Sequence, residues 1–274
     1  MPKTTLRFNP PVAVITASKK GGTGKTMLAA TVADLFVLNK YALAVFQADD
    51  KMRLATMLGT KVVGLRPDPD RVLDDPALIR RSFTPFYSAC AQASATKTSV
   101  LLDVGADEVE NVANYLNDVE IEDDLATWKL PLIVMVPTLS EADSINSAAV
   151  TIDRFRKAVP SAHIVLVENN FGRGRLDSLP ASGPAREEFE KHLKPLLAGV
   201  TRMSMPGIVT DFWKPYEDRG IRFLKAIAMD KEEGAKRLSM EIGDVKIARR
   251  AVTLYFAAMH AELSRIIVLP KGGM

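Results

Sequence analysis

Cysteine is nearly absent from this chain of 274 residues: Cys90 stands alone, so no internal disulfide can form. Histidine is scarce as well, with His163, His192 and His260 far apart in sequence. Together these shortages exclude a thiolate or imidazole metal cluster within one subunit, and with it zinc proteins and most iron–sulfur proteins. Long apolar runs are missing too. The longest uncharged stretch, Ser82–Thr96, has 15 residues rich in Ser, Thr and Ala, whereas a membrane-spanning helix needs about 20 apolar ones. The first residues, Met-Pro-Lys-Thr-Thr-Leu-Arg followed by Asn-Pro-Pro, hold no hydrophobic segment of a secretory signal. The expectation is a cytoplasmic protein that does not bind membranes.

What is present is ordinary for a globular chain: 47% hydrophobic and 25% charged residues, enough to bury a sizeable core. Net charge is only +3, but acid is concentrated. Residues 101–150 carry one Lys and 11 Asp or Glu, while the segments on either side are basic. A basic C-terminal half suits contact with nucleic acid, and an uneven charge of this size is equally an ordinary solvated surface.

Short apolar runs recur along the chain. Pro11–Ser18 is β-branched and apolar, then a Gly-rich turn leads into Met27–Asn39, where Leu28, Val32, Leu35 and Phe36 repeat at helical spacing. Further runs at Tyr41–Gln47, Ser99–Val104, Leu130–Val136 and His163–Val167 read as strands, with Glu141–Ala158 as one intervening helix. Five buried-type strands alternating with helices predict an α/β fold: a mostly parallel twisted sheet with helices on both faces, because parallel neighbours need crossover connections. Beyond Asn169 we expect a surface loop over Gly172–Pro184, a helix over Ala185–Leu197, a sixth strand at Val200–Met205 and helices from Lys231 to about Ile267 interrupted at Gly243. With no repeat, low-complexity tract or clear boundary, a single domain over residues 1–274 is expected.

The most specific segment is Lys19-Lys20-Gly21-Gly22-Thr23-Gly24-Lys25-Thr26, between the first strand and the first helix. Glycines let several backbone N–H groups converge on one concavity, and the following helix adds its positive N-terminal end; this is how a chain holds phosphate. Lys25 is placed to reach the β- and γ-phosphates, and the Thr26 hydroxyl to ligate Mg²⁺. The usual P-loop glycine is replaced by Lys19, and a lysine stands at Lys20, so the pattern is a variant: Lys-Gly-Gly-x-Gly-Lys-Thr.

That variant resembles the Walker A segment of the ParA/MinD family of deviant Walker A ATPases. Three weaker segments are similar as well: Gln47-Ala48-Asp49-Asp50 to the family's Asp-x-Asp segment at its second aspartate, Leu101-Leu102-Asp103 to its Walker B strand, and Met205-Pro206 with Tyr216–Gly220 to its Ile-Pro segment and the loop beyond. The resemblance covers about residues 11–225, a nucleotide-binding core, leaving 226–274 as C-terminal helices. It implies ATP and Mg²⁺ as ligands, ATP hydrolysis and a homodimer closed around two nucleotides. Position by position, it implies that Gly21, Gly22, Thr23, Gly24, Lys25, Thr26 and Met27 cradle the phosphates. Lys20 reaches the partner's phosphates, Asp49 orients the attacking water, and Asp103 holds Mg²⁺ through water beside Thr26. Asn169, Asn170, Met205 and Pro206 enclose the adenine. Asp after a strand and paired asparagines are also common turn formers, which is the plain alternative for Asp49, Asp103, Asn169 and Asn170.

Two departures count against rapid turnover: Gln47 stands for the first family aspartate, and Gly105-Ala106 for the prolines after the Walker B aspartate. Lys20, Lys25 and Asp49 are therefore expected as catalytic residues of a slow ATPase. Arg219, Arg222, Lys225, Lys236, Arg237, Lys246, Arg249 and Arg250 are candidates for a basic surface binding DNA through phosphates, which would make the protein nucleoid-associated. With about ten residues before the first strand there is no room for an N-terminal helix-turn-helix, so DNA contact is expected to be independent of sequence. The resemblance implies plasmid or chromosome partition with a centromere-binding partner. The alternative is a nucleotide-gated docking protein of a conjugative-transfer or polar-anchoring system, favoured by Gln47 and the acidic segment Asp103–Asp124; a metabolic ligase on the same fold has no need of Lys20.

Overall fold

The computed structural model describes residues 7–59, 62–171, 175–208 and 210–270. Its elements, in chain order, are β1 (Ala13–Thr16), α1 (Lys25–Leu38), β2 (Ala42–Ala48), α2 (Arg53–Leu58), β3 (Val63–Gly64), α3 (Pro69–Asp74), α4 (Ala77–Arg81) and α5 (Thr84–Thr96). β4 (Thr98–Val104), α6 (Val109–Asp118), α7 (Ile121–Trp128), β5 (Leu132–Thr138), α8 (Ala142–Ala158) and β6 (His163–Asn169) follow. The rest comprises α9 (Pro184–Glu188), β7 (Thr201–Met205), α10 (Lys214–Asp218), α11 (Phe223–Ala228), α12 (Lys231–Leu238) and α13 (Ile242–Leu263).

All pairings in the seven-stranded sheet are parallel, in the order β3-β2-β4-β1-β5-β6-β7. Parallel strands need both faces covered, and β1 meets that demand with four consecutive buried residues, Ala-Val-Ile-Thr. Val14 points into one apolar layer with Leu28, Phe36 and the C-terminal Phe256. Ile15 points into the other, with Phe86, Val134 and Ile152. The α/β expectation therefore holds. The order reverses direction at β1, with β4 on one side and β5 on the other, and in open α/β sheets ligands lie at the carboxyl ends of strands at such a switch point.

Several local expectations need correction. β3 escaped notice because two residues carry no periodicity. The first helix begins at Lys25, two residues earlier than its apolar repeat, since its first two residues, Lys25 and Thr26, are polar. The stretch 185–197 is not one helix: α9 gives way to a π turn at Phe189–Leu193 and a 3-10 turn at Lys194–Leu197. Pro195 has no N–H to donate and so breaks the regular ladder. The late interruption falls at Ser239, which ends α12 in the left-handed region at φ 55°, and Gly243 lies within the first turn of α13. Residues 172–174 of the expected surface loop lie outside the described residues; the remainder holds only a short turn at Leu176–Ser178. Residues 1–6 of the N-terminal reading also lie outside them. Among the described residues no helix is long and apolar enough to cross a membrane.

Candidate functional site

Sheet register assembles the site before any side chain is considered. Asp103 lies opposite Thr16 of β1 on one side and opposite Gln47 of β2 on the other. Thr16 donates its hydroxyl to Asp103 Oδ1 at 2.9 Å, and Thr26, in the first turn of α1, donates to Oδ2 at 2.9 Å. The Gln47 amide nitrogen adds a longer contact to Oδ2 at 3.4 Å. Asp103 is 1% exposed, and burial lifts its carboxyl to about 6 in spite of these donors and the nearby Lys25.

The Gly-rich turn closes over this carboxylate. Gly24 caps α1 from the left-handed region, at φ 96°. A side chain there would also strike Asn169 Nδ2 and Met205 Cε, both 2.8 Å from a Cβ, so glycine meets a conformational and a packing demand at once. The Lys25 ammonium turns back into the curl and donates to the carbonyl of Lys20 at 2.8 Å. Burial pulls its pKa below the usual lysine value, against the opposing pull of Asp103, Asp49 and Asp107. Lys20, expected to reach across to a partner, lies on its own chain beside Asp143 (3.4 Å) and Glu141 (3.7 Å) at the start of α8. Gly21 and Gly22 are exposed, Thr23 is buried, and Met27 sits half-buried against the core under α1.

At the other end, Asn169 donates its amide to the Thr23 carbonyl at 3.0 Å and so touches the turn directly. Asn170 faces β7 instead, bonding Ser204 through its side chain and the Met205 carbonyl through its backbone. Met205 is fully buried against the turn, with Pro206 beside it at the end of β7. Asp49 lies at the carboxyl end of β2, half-buried, its Oδ1 accepting the Lys51 N–H at 2.8 Å. The turn residues Lys20–Met27, Asp49, Asp103, Asn169 and Met205 thus gather at one end of the sheet. Two of the eight basic candidates are engaged within the protein itself. Arg222 is drawn inward to the buried Asp34, and Arg249 donates to the Met229 carbonyl, whereas Arg219, Lys225, Lys236, Arg237, Lys246 and Arg250 are exposed.

Sequence reasoning passed over three residues. Thr16 ends the first apolar run and is identified only by its register with Asp103. Glu108 and Arg66, ion-paired at 2.8 Å, carry no local motif. Among the described residues there is no group of three His, Cys, Asp or Glu suited to a metal ion. A site of one carboxylate and one hydroxyl is nevertheless what Mg²⁺ asks of a protein when phosphates and water supply the remaining ligands.

No curated protein sequence matches the chain. Among solved structures it is similar to apo McdA of Cyanothece, with 13% identity, 86% of this chain and 98% of that one covered, and a TM-score of 0.47. MinD of Pyrococcus horikoshii OT3 complexed with Mg-ADP shows 14% identity over 90% and 97% of the two chains, with a TM-score of 0.48. A plasmid partition protein of Borrelia burgdorferi shows 15% identity over 79% and 99%, with a TM-score of 0.40. The family model of the CobQ/CobB/MinD/ParA nucleotide binding domain matches residues 14–252, the greater part of the chain, and the chain belongs to that family.

Proposed function

We propose that this protein is an ATP-dependent dimerisation switch of ParA type: Mg·ATP closes two copies together, the closed dimer engages DNA or a partner protein, and slow hydrolysis releases it. The observation that carries the reading is the meeting of Thr26 and Asp103 at the mouth of the Gly24 turn. There a helix N-terminus, a buried lysine and a buried carboxylate converge on one small volume. The donor set fits a hydrated divalent cation. Gln47 is fully buried beside Asp103 and its Oε1 has no hydrogen-bond partner, so an acceptor stands ready for a water of the metal's shell. Thr26 and Asp103 would hold Mg²⁺, which when bound offsets charge on the phosphates.

The residues of the chain then divide the work. The Lys20–Met27 turn binds the phosphates, and Lys25 leaves the Lys20 carbonyl to pair with them. Asn169, Asn170, Met205 and Pro206 receive the adenine. Asp49 orients water, and Lys20 leaves Asp143 and Glu141 to serve the partner's nucleotide. The exposed cations of the C-terminal helices supply non-specific DNA contact, in keeping with partition of a plasmid or chromosome and a centromere-binding partner.

A second reading is favoured by one observation. Gln47 cannot accept a proton as a carboxylate does, and its place beside Asp103 suits a docking protein of conjugative-transfer or polar-anchoring type that turns over little ATP. Gel filtration of wild type and Lys20→Ala with and without Mg·ATP tests the switch. ATP-dependent dimers that vanish in the variant are expected, and unchanged monomers in both overturn it. Phosphate release measured with and without plasmid DNA separates the readings: stimulation supports partition, and no release supports docking.

A further inference from the structure

Two loops meet at the carboxyl end of the sheet, one after β2 and one after β4. Gly105 sits where they touch: its N–H donates to the Ala48 carbonyl at 2.7 Å, and a Cβ at Gly105 would lie 2.9 Å from that oxygen and 3.2 Å from Asp49 Oδ2. The Asp49 carboxylate therefore rests above Gly105, with its other oxygen bound to the Lys51 N–H. The backbone of the sheet edge brings in a third element. The Leu65 N–H donates to the Gln47 carbonyl at 2.9 Å, which carries the next residue, Arg66, alongside Asp49 and Asp50.

Arg66 joins the two loops. Its Nε donates to Glu108 Oε1 at 2.8 Å, and its terminal nitrogen pairs with Asp50. The two halves differ in kind. Glu108 is 6% exposed and its second oxygen is held by Asn111 at 3.0 Å, so this half is desolvated and fixed. The Asp50 side chain is 70% exposed, so this half of the pair is solvated and weak. One end of the guanidinium is anchored and the other can let go. Asp49, Asp50, Gly105 and Asp107 line the recess that Arg66 spans.

We infer that Arg66 is a positioning residue: anchored on Glu108, it captures Asp50 and so fixes the neighbouring Asp49 in its place toward the attacking water. The inference rests on the role proposed above for Asp49. Lysine cannot replace it fully, because a single ammonium lacks the fork that spans both carboxylates.

The test uses the full chain with Mg·ATP, in wild type, Asp50→Ala, Arg66→Lys and the double variant Arg66→Ala/Glu108→Gln, in which no buried carboxylate is left unpaired. ATP affinity is read by calorimetry, phosphate release in single turnovers, and loop order by amide exchange at Lys51, whose N–H reports on Asp49. Asp50→Ala and the double variant are expected to keep ATP affinity within about twofold and to lose about threefold to fivefold in release rate. Exchange at Lys51 should quicken in both while that at Leu28, in α1, stays unchanged. Arg66→Lys should fall between. Wild-type release and wild-type Lys51 exchange in Asp50→Ala and the double variant overturn the inference. A wild type that binds ATP and releases no phosphate counts against hydrolysis itself, and Lys51 exchange then decides for or against the latch.

Discussion

Thr26 and Asp103 meet at 2.9 Å, joining the first turn of the helix after the Gly-rich loop to the end of a central strand. The carboxylate in this pair is buried and sits near 6, above the 3.8 of an ordinary aspartate. The folded chain therefore keeps a proton that the unfolded chain releases at lower pH. Stability from this group is complete below about pH 4 and is lost as pH rises through about 6, on the order of 3 kcal/mol in all. Asp103→Asn, which cannot titrate, should lack this fall. Denaturant midpoints from pH 4 to 7 without nucleotide check it, and parallel curves for wild type and variant would refute it.

Gly24→Ala should abolish ATP binding and destabilise the fold by roughly 1–3 kcal/mol. The new methyl must adopt a left-handed backbone and displace both Asn169 and Met205. Gly21→Ala is the control, since a Cβ there meets nothing within 4 Å. Urea titration of the two variants tests the contrast: equal midpoints would show that the turn is less tightly packed than its contacts imply.

Legibility in the sequence followed local physics. β1, β2, β4, β5 and β6 announced themselves as short apolar runs, and the Lys20–Thr26 turn by its glycines and its place between strand and helix. What remained hidden depends on register. Thr16 and Gln47 become neighbours of Asp103 only when three strands pair, and Arg66 reaches Asp50 and Glu108 only because a two-residue strand holds the sheet edge. Arg222 looked like surface charge until α11 placed it over Asp34.

That pair gives a third prediction. Asp34 is fully buried in α1 and accepts both the Arg222 guanidinium and the Leu224 N–H at 3.0 Å. Burial pushes its carboxyl above the usual range and Arg222 pulls it back. Arg222→Met leaves that charge uncompensated and should cost roughly 3–5 kcal/mol, whereas Asp34→Asn/Arg222→Met should recover much of the loss. Urea unfolding of the single and double variants measures the difference; additive losses would mean that the two residues do not act as a pair.

Gln47 poses the opposite case, a residue whose removal should help the fold and harm the function. It is fully buried, makes one long contact to Asp103 and leaves Oε1 without a partner, a state that costs roughly 1–3 kcal/mol for a polar group shut away from water. Gln47→Leu removes that orphan atom and fills similar space. Its unfolding free energy should rise by up to about 1 kcal/mol once the lost contact to Asp103 is allowed for. If the spare oxygen serves a water of the metal's shell, the same variant should need about tenfold more magnesium to support ATP binding, since removing such an outer partner weakens metal sites by about tenfold or more. Calorimetric ATP titrations across a magnesium series, paired with urea unfolding, read both effects on one sample. Greater stability with an unchanged magnesium requirement would make Gln47 a defect of packing; the two changes together would make it a residue kept for the metal at the expense of the fold.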